Sequence, residues 1–99
     1  MTINIQYLHM PTSEAMNELL THKLEKLSAK YDWIISTDVY FKLSNDPRGK
    51  NKVCEMKMEV PGPRIFATST EDNFEKAAAQ TLKDIERQLK KRKAIYSKH

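Results

Sequence analysis

Residues 39–69 read VYFKLSNDPRGKNKVCEMKMEVPGPRIFATS, and their alternation decides the fold. Val39, Phe41 and Leu43 alternate with Tyr40 and Lys42, the period-two pattern of a half-buried strand. Cys54, Met56, Met58 and Val60 alternate in the same way with Glu55, Lys57 and Glu59. Between the two runs, Asn45-Asp46-Pro47-Arg48-Gly49 has the composition of a turn, because Pro presets φ, Gly accepts positive φ and Asn or Asp bonds its own backbone. Pro61-Gly62-Pro63 turns the chain again, into a short strand from Arg64 to about Ser69. Three successive strands separated by turn signals predict an antiparallel meander.

Working outward, Thr2-Ile3-Asn4-Ile5-Gln6-Tyr7 alternates as a fourth strand, which Pro11 ends. Thr12 or Ser13 is placed to cap a helix running to about Lys30, with Met16, Leu19, Leu20, Leu24 and Leu27 as its apolar stripe. From roughly Glu71 to Ile95, Phe74, Ala77, Ala78, Leu82, Ile85 and Leu89 mark a second amphipathic helix. The order is β-α-β-β-β-α. Its strand-helix-strand start permits a parallel pairing, so the expectation is an α+β two-layer sandwich: a four-stranded mixed sheet with both helices on one face.

The chain has 99 residues, enough for one domain over 1–99, with a flexible tail expected from about 96. No apolar run approaches the ~20 residues of a membrane span, and the first residues lack a signal-peptide pattern. Cys54 is the only cysteine, so no intramolecular disulfide forms, and the expected setting is the cytoplasm. The net charge of +4 is unevenly placed. Residues 87–99 carry Arg87, Lys90, Lys91, Arg92, Lys93 and Lys98 and no acid, so 11 of the 17 bases face all 13 acids in residues 1–86, which sum to −2. A basic end of this kind suits an anionic partner.

Turned at about 100° per residue, the first helix places Lys23, Lys26 and Lys30 on one row and Glu14, Glu18 and Glu25 on another. In the second helix Lys76, Lys83, Arg87 and Lys90 fall opposite the apolar face with Lys91 at their edge, Glu75 and Glu86 sit off that row, and Asp84 weakens the side of Lys91. Ordinary solvation favours interspersed signs, whereas these are segregated. With the helices side by side, the rows combine into a positive surface suited to a phosphate backbone. Base-specific readout has little support, since lysines dominate and no aromatic pair is spaced for stacking; Tyr40 is expected to pack on cross-strand neighbours.

Catalytic signals are weak. Gly49 and Gly62 are the only glycines, so no phosphate-cradling loop exists, and His9, His22 and His99 are scattered without metal-ligand spacing. Cys54, Met56 and Met58 fit a core, and Trp33 fits an anchor for the connection after the first helix. A nucleophilic Cys54 or His22 is a distant alternative. No enzyme activity, cofactor, metal or small-molecule substrate is expected.

The stretch Thr12-Ser13-Glu14-Ala15-Met16 through Lys23-Leu24-Glu25-Lys26-Leu27, followed by Tyr31-Asp32, resembles the first helix of short ribosome hibernation-promoting factors, also described as ribosome-associated inhibitors or sigma-54 modulation proteins. Ile85-Glu86-Arg87-Gln88-Leu89-Lys90-Lys91-Arg92-Lys93 is similar to the family's closing R-Q-L-x-K-x-K pattern. The resemblance implies a fold like that of double-stranded-RNA-binding domains. It also implies binding to the small ribosomal subunit, in the channel of messenger and A- and P-site transfer RNAs. There the protein would block translation by steric exclusion and favour ribosome pairing under stress, as a monomer when free.

The family's basic positions correspond to Lys23, Lys26, Arg87, Lys91 and Lys93, and the helix rows add Lys30, Lys83 and Lys90 as rRNA-binding candidates. Departures are Asp84, where relatives commonly have Lys, and the helix start Asp72-Asn73-Phe74-Glu75. The dimerisation module of long hibernation factors is not expected here, and the expected lack of an acidic extension like that of the inhibitor-type relatives favours the hibernation-promoting type. The alternative is a protein-binding regulatory module, a transcription modulator of the sigma-54 type.

Overall fold

The computed structural model describes residues 1–97. It runs β1 (Thr2–Tyr7), α1 (Glu14–Lys30), β2 (Ser36–Leu43), β3 (Lys52–Glu59), β4 (Ile65–Glu71) and α2 (Phe74–Tyr96), the expected β-α-β-β-β-α order. The sheet order is β1-β2-β3-β4, with β1 parallel to β2 and the two remaining pairs antiparallel. This is the mixed α+β sheet that the alternating runs and the helical crossover predict.

Local chemistry sets the element ends. Of the two cap candidates for α1, Ser13 serves: its hydroxyl accepts from the Met16 amide at 3.2 Å. Asn73 caps α2 by accepting from the Lys76 amide at 2.8 Å. That helix therefore starts at Phe74 rather than near Glu71, because β4 runs on to Glu71 instead of stopping near Ser69. β2 likewise begins at Ser36, ahead of Val39, since buried Thr37 continues the inward alternation.

Pairing stacks Ile5, Val39, Met56 and Ala67 in one inward row, and Tyr7, Phe41 and Cys54 in the next. On this face lie Met16, Leu20, Leu24 and Leu27 from α1 and Ala77, Ala78, Ile85 and Leu89 from α2, all in one core cluster. Both helices thus cover the same face, leaving the other open. One member of the expected stripes behaves differently, and one residue outside them is buried. Leu19 is 43% exposed, and a buried position of α2 is taken by Thr81, whose hydroxyl donates to the Ala77 carbonyl at 2.8 Å and so satisfies its polarity within the helix.

The end of α2 is fastened to the turn between β3 and β4. The Arg92 guanidinium donates to the carbonyls of Pro61 (3.2 Å) and Pro63 (2.8 Å), and the Tyr96 hydroxyl donates to Pro61. Gly62, between the prolines, has φ +88°, which an L side chain rarely adopts. Trp33 meets Tyr31 and Tyr96 edge-on at 5.7 and 4.9 Å, so it anchors the α1–β2 connection as expected. Of the expected tail, Tyr96 and Ser97 form the last helical residue and its cap, while residues 98 and 99 lie outside the described residues.

Candidate nucleic-acid interface

Between α1 and α2 runs a groove of about 880 Å³. Leu19, Leu27, Ala79 and Leu82 supply its apolar lining, which explains why Leu19 stays half-exposed: it faces the groove, not the sheet. Lys23, Lys26 and Lys30 line it from α1, and Lys76 and Lys83 from α2. Five lysines therefore gather against two acids, Glu71 and Glu86, with His22 and Gln80 also present. The spacing accounts for the gathering: three- and four-residue steps keep the α1 lysines on one side of that helix, and seven residues bring Lys83 two turns above Lys76.

Four of the eight candidates, Lys23, Lys26, Lys30 and Lys83, thus meet at the groove. Lys93 joins at one end through Tyr31, whose ring centroid lies 5.5 Å from the Lys30 Nζ and 5.8 Å from the Lys93 Nζ. Arg87, Lys90 and Lys91 are exposed on α2 outside the groove lining, extending the basic surface along the helix. Among the described residues, Lys23, Lys26, Lys83, Lys90, Lys91 and Lys93 form no ion pair.

The acids fall differently from expectation. Glu86, placed off the basic row by its helical angle, lines the groove, and its Oε2 lies 3.2 Å from the Lys30 Nζ of the facing helix. That hydrogen bond, followed by the Coulombic interaction with Tyr31, holds the Lys30 pKa above its ordinary value. Asp84 turns to Arg87 rather than weakening Lys91: one carboxylate oxygen accepts from Nη2 at 2.5 Å and from Nε at 3.2 Å. Lys76 was legible as part of the α2 row but not as a site residue; it lines the groove while pairing with Asp72 at 3.2 Å.

Elsewhere the chemistry is structural. Cys54 is fully buried, and burial pushes its thiol up to about 12, so it stays protonated at neutral pH and is a poor nucleophile. On the open face Tyr40 lies opposite Glu55 in register, and the Lys57 Nζ sits 5.6 Å from its ring. Among the described residues no three His, Cys, Asp or Glu side chains gather as a metal site requires, and no helix is long and apolar enough to cross a membrane.

Comparison with known proteins places this geometry. The family model described as sigma 54 modulation protein / S30EA ribosomal protein matches residues 3–96. The structure of a ribosomal subunit interface protein from Coxiella burnetii is similar at TM-score 0.83 and 26% identity, over 95% of this chain and 99% of that one. The N-terminal domain of Protein Y from Thermus thermophilus is similar at TM-score 0.77 over 92% and 98% of the two chains; at 19% identity that likeness is one of fold. No curated protein sequence gives a match. With nearly its whole length matched and its fold shared, the chain belongs to the sigma 54 modulation protein / S30EA ribosomal protein family.

Proposed function

We propose that this protein is a ribosome-binding hibernation factor that occupies the decoding channel of the small subunit through rRNA phosphates. The observation that carries the reading is the lysine-lined groove between the two helices, continued by exposed Arg87, Lys90 and Lys91 and by Lys93. Lysine ammoniums contributed by both helices suit phosphates spaced along a strand, and each phosphate neutralised releases condensed counterions. Family membership and the Coxiella burnetii ribosomal subunit interface protein support the ribosome as partner.

The mechanism is steric exclusion. Lys23, Lys26, Lys30, Lys83, Arg87, Lys90, Lys91 and Lys93 hold the domain against rRNA, and its volume denies the A and P sites to messenger and transfer RNA. No bond in a substrate is made or broken. The protein acts in the cytoplasm as a single domain, monomeric when free, and its occupancy favours ribosome pairing under stress.

Sucrose-gradient sedimentation of purified subunits and ribosomes with the protein tests this. The expected result is co-migration with small subunits, lost when messenger and transfer RNA already fill the channel. Protein that stays at the top of the gradient contradicts it. A second reading, a protein-binding regulatory module, draws on the family's sigma 54 description. Its signature is a ribonuclease-resistant complex with a protein and no ribosome co-sedimentation.

A further inference from the structure

Among the described residues, the Lys30–Glu86 contact is the one ion pair that joins the two helices, and it lies in the groove itself. Its geometry is that of an ammonium on an oxyanion, 3.2 Å from Nζ to Oε2. Lys26 and Lys83 line the same groove, and the ring of Tyr31 lies under the Lys30 ammonium. A cation flanked by further cations, facing one carboxylate, is already arranged for a bound anion.

We infer that the groove contains a discrete phosphate subsite formed by Lys26, Lys30 and Lys83, in which the Glu86 carboxylate stands in for an RNA backbone phosphate until RNA displaces it. The side chains of Lys30 and Glu86 are 53% and 37% exposed, so the pair is weak enough to open. Opening it takes from the binding energy, because the incoming phosphate must win the Lys30 ammonium from Glu86. Glu86 is therefore an affinity-setting residue: it weakens binding and limits how long the RNA stays. Asp84 sits outside the groove lining on Arg87 and plays no part in this subsite. The inference rests on the proposed phosphate-binding function and adds to it the location of one phosphate and the residue that competes for its place.

The test compares Glu86→Gln with Glu18→Gln, an identical charge change at an exposed α1 position outside the groove lining. Each is made with and without Lys30→Gln, and circular dichroism confirms that the variants fold. Affinity for small ribosomal subunits is the main readout, and the salt concentration that elutes each variant from heparin is the second. Glu86→Gln should tighten subunit binding about 3- to 5-fold, Glu18→Gln by less than about 2-fold, and the difference should vanish in the Lys30→Gln background. Equal effects of the two substitutions, or a Glu86→Gln gain that persists without Lys30, would overturn the subsite. If the parent protein does not bind subunits, the proposed function fails. The heparin series then decides the subsite by itself: later elution of Glu86→Gln than of Glu18→Gln, dependent on Lys30, supports it, and equal elution overturns it.

Discussion

The two faces of the molecule carry cations of the same kinds and treat them oppositely. On and beside the open sheet face, Lys42 pairs with Glu55 at 2.7 Å, Arg64 with Glu59 at 2.6 Å, and Lys57 lies over Tyr40. Cross-strand registry does this for Lys42 and Lys57, which reach diagonal neighbours, since Glu55 lies opposite Tyr40 and Lys57 opposite Asp38. On the helical face the rows of α1 and α2 collect like charges, so five lysines line a groove that holds only two acids. Net charge counts both faces alike. On the helical face Lys30, Lys76 and Arg87 pair with Glu86, Asp72 and Asp84. Lys23, Lys26, Lys83, Lys90, Lys91 and Lys93 form no ion pair among the described residues, and the proposed phosphate contacts draw on that surplus. The same distinction runs within the basic C-terminal block, where Arg92 bonds backbone carbonyls while Lys90 and Lys91 stay exposed.

Matched neutralisations give the largest effect. Replacing Lys23, Lys26 and Lys83 with Gln should weaken small-subunit association about 100-fold, whereas replacing Lys42, Lys57 and Arg64 with Gln should weaken it less than about 3-fold. Equal losses in a pull-down titration would erase the contrast between the faces. The layer between them gives the next effect, through Cys54. Its pKa rises on folding from 9.0 to about 12, so the buried neutral thiol contributes stability that is intact below pH 9 and lost as pH rises toward 12. Chemical denaturation should show the parent losing up to about 1.4 kcal/mol per pH unit across that window relative to Cys54→Ala. Parallel stability curves would show that the thiol is not sequestered. Smaller still, Arg92→Ala should cost about 1 kcal/mol of stability by releasing Pro61 and Pro63, with subunit affinity changed less than about 2-fold. A large loss of affinity at full folding would move Arg92 from fastening α2 to binding RNA.

Much of this was legible in the sequence because strand and helix periods are local. The alternation of Val39–Leu43 and Cys54–Val60 specified the meander, and one apolar face per strand placed both helices on one side. The spacing of Lys23, Lys26 and Lys30 put them on one row, which the groove uses. Less legible was everything set by how the two helices turn toward each other. A helical angle shows which residues share a row, but the rotation that core packing imposes decided that Glu86 and Leu19 face the groove. Asp84 could go to either of two cations, and the three-residue step to Arg87 gave the closer contact. Arg92 read as one more base in a run, since nothing local shows that the Pro61–Pro63 carbonyls lie beside it.

The measurement closest to the central claim is the affinity of the protein for purified small ribosomal subunits across a salt series. With about four to six phosphates neutralised, log affinity should fall against log salt with a slope between about −3 and −5. Binding that ignores salt, or no binding at low salt, would contradict a phosphate-held occupant of the decoding channel.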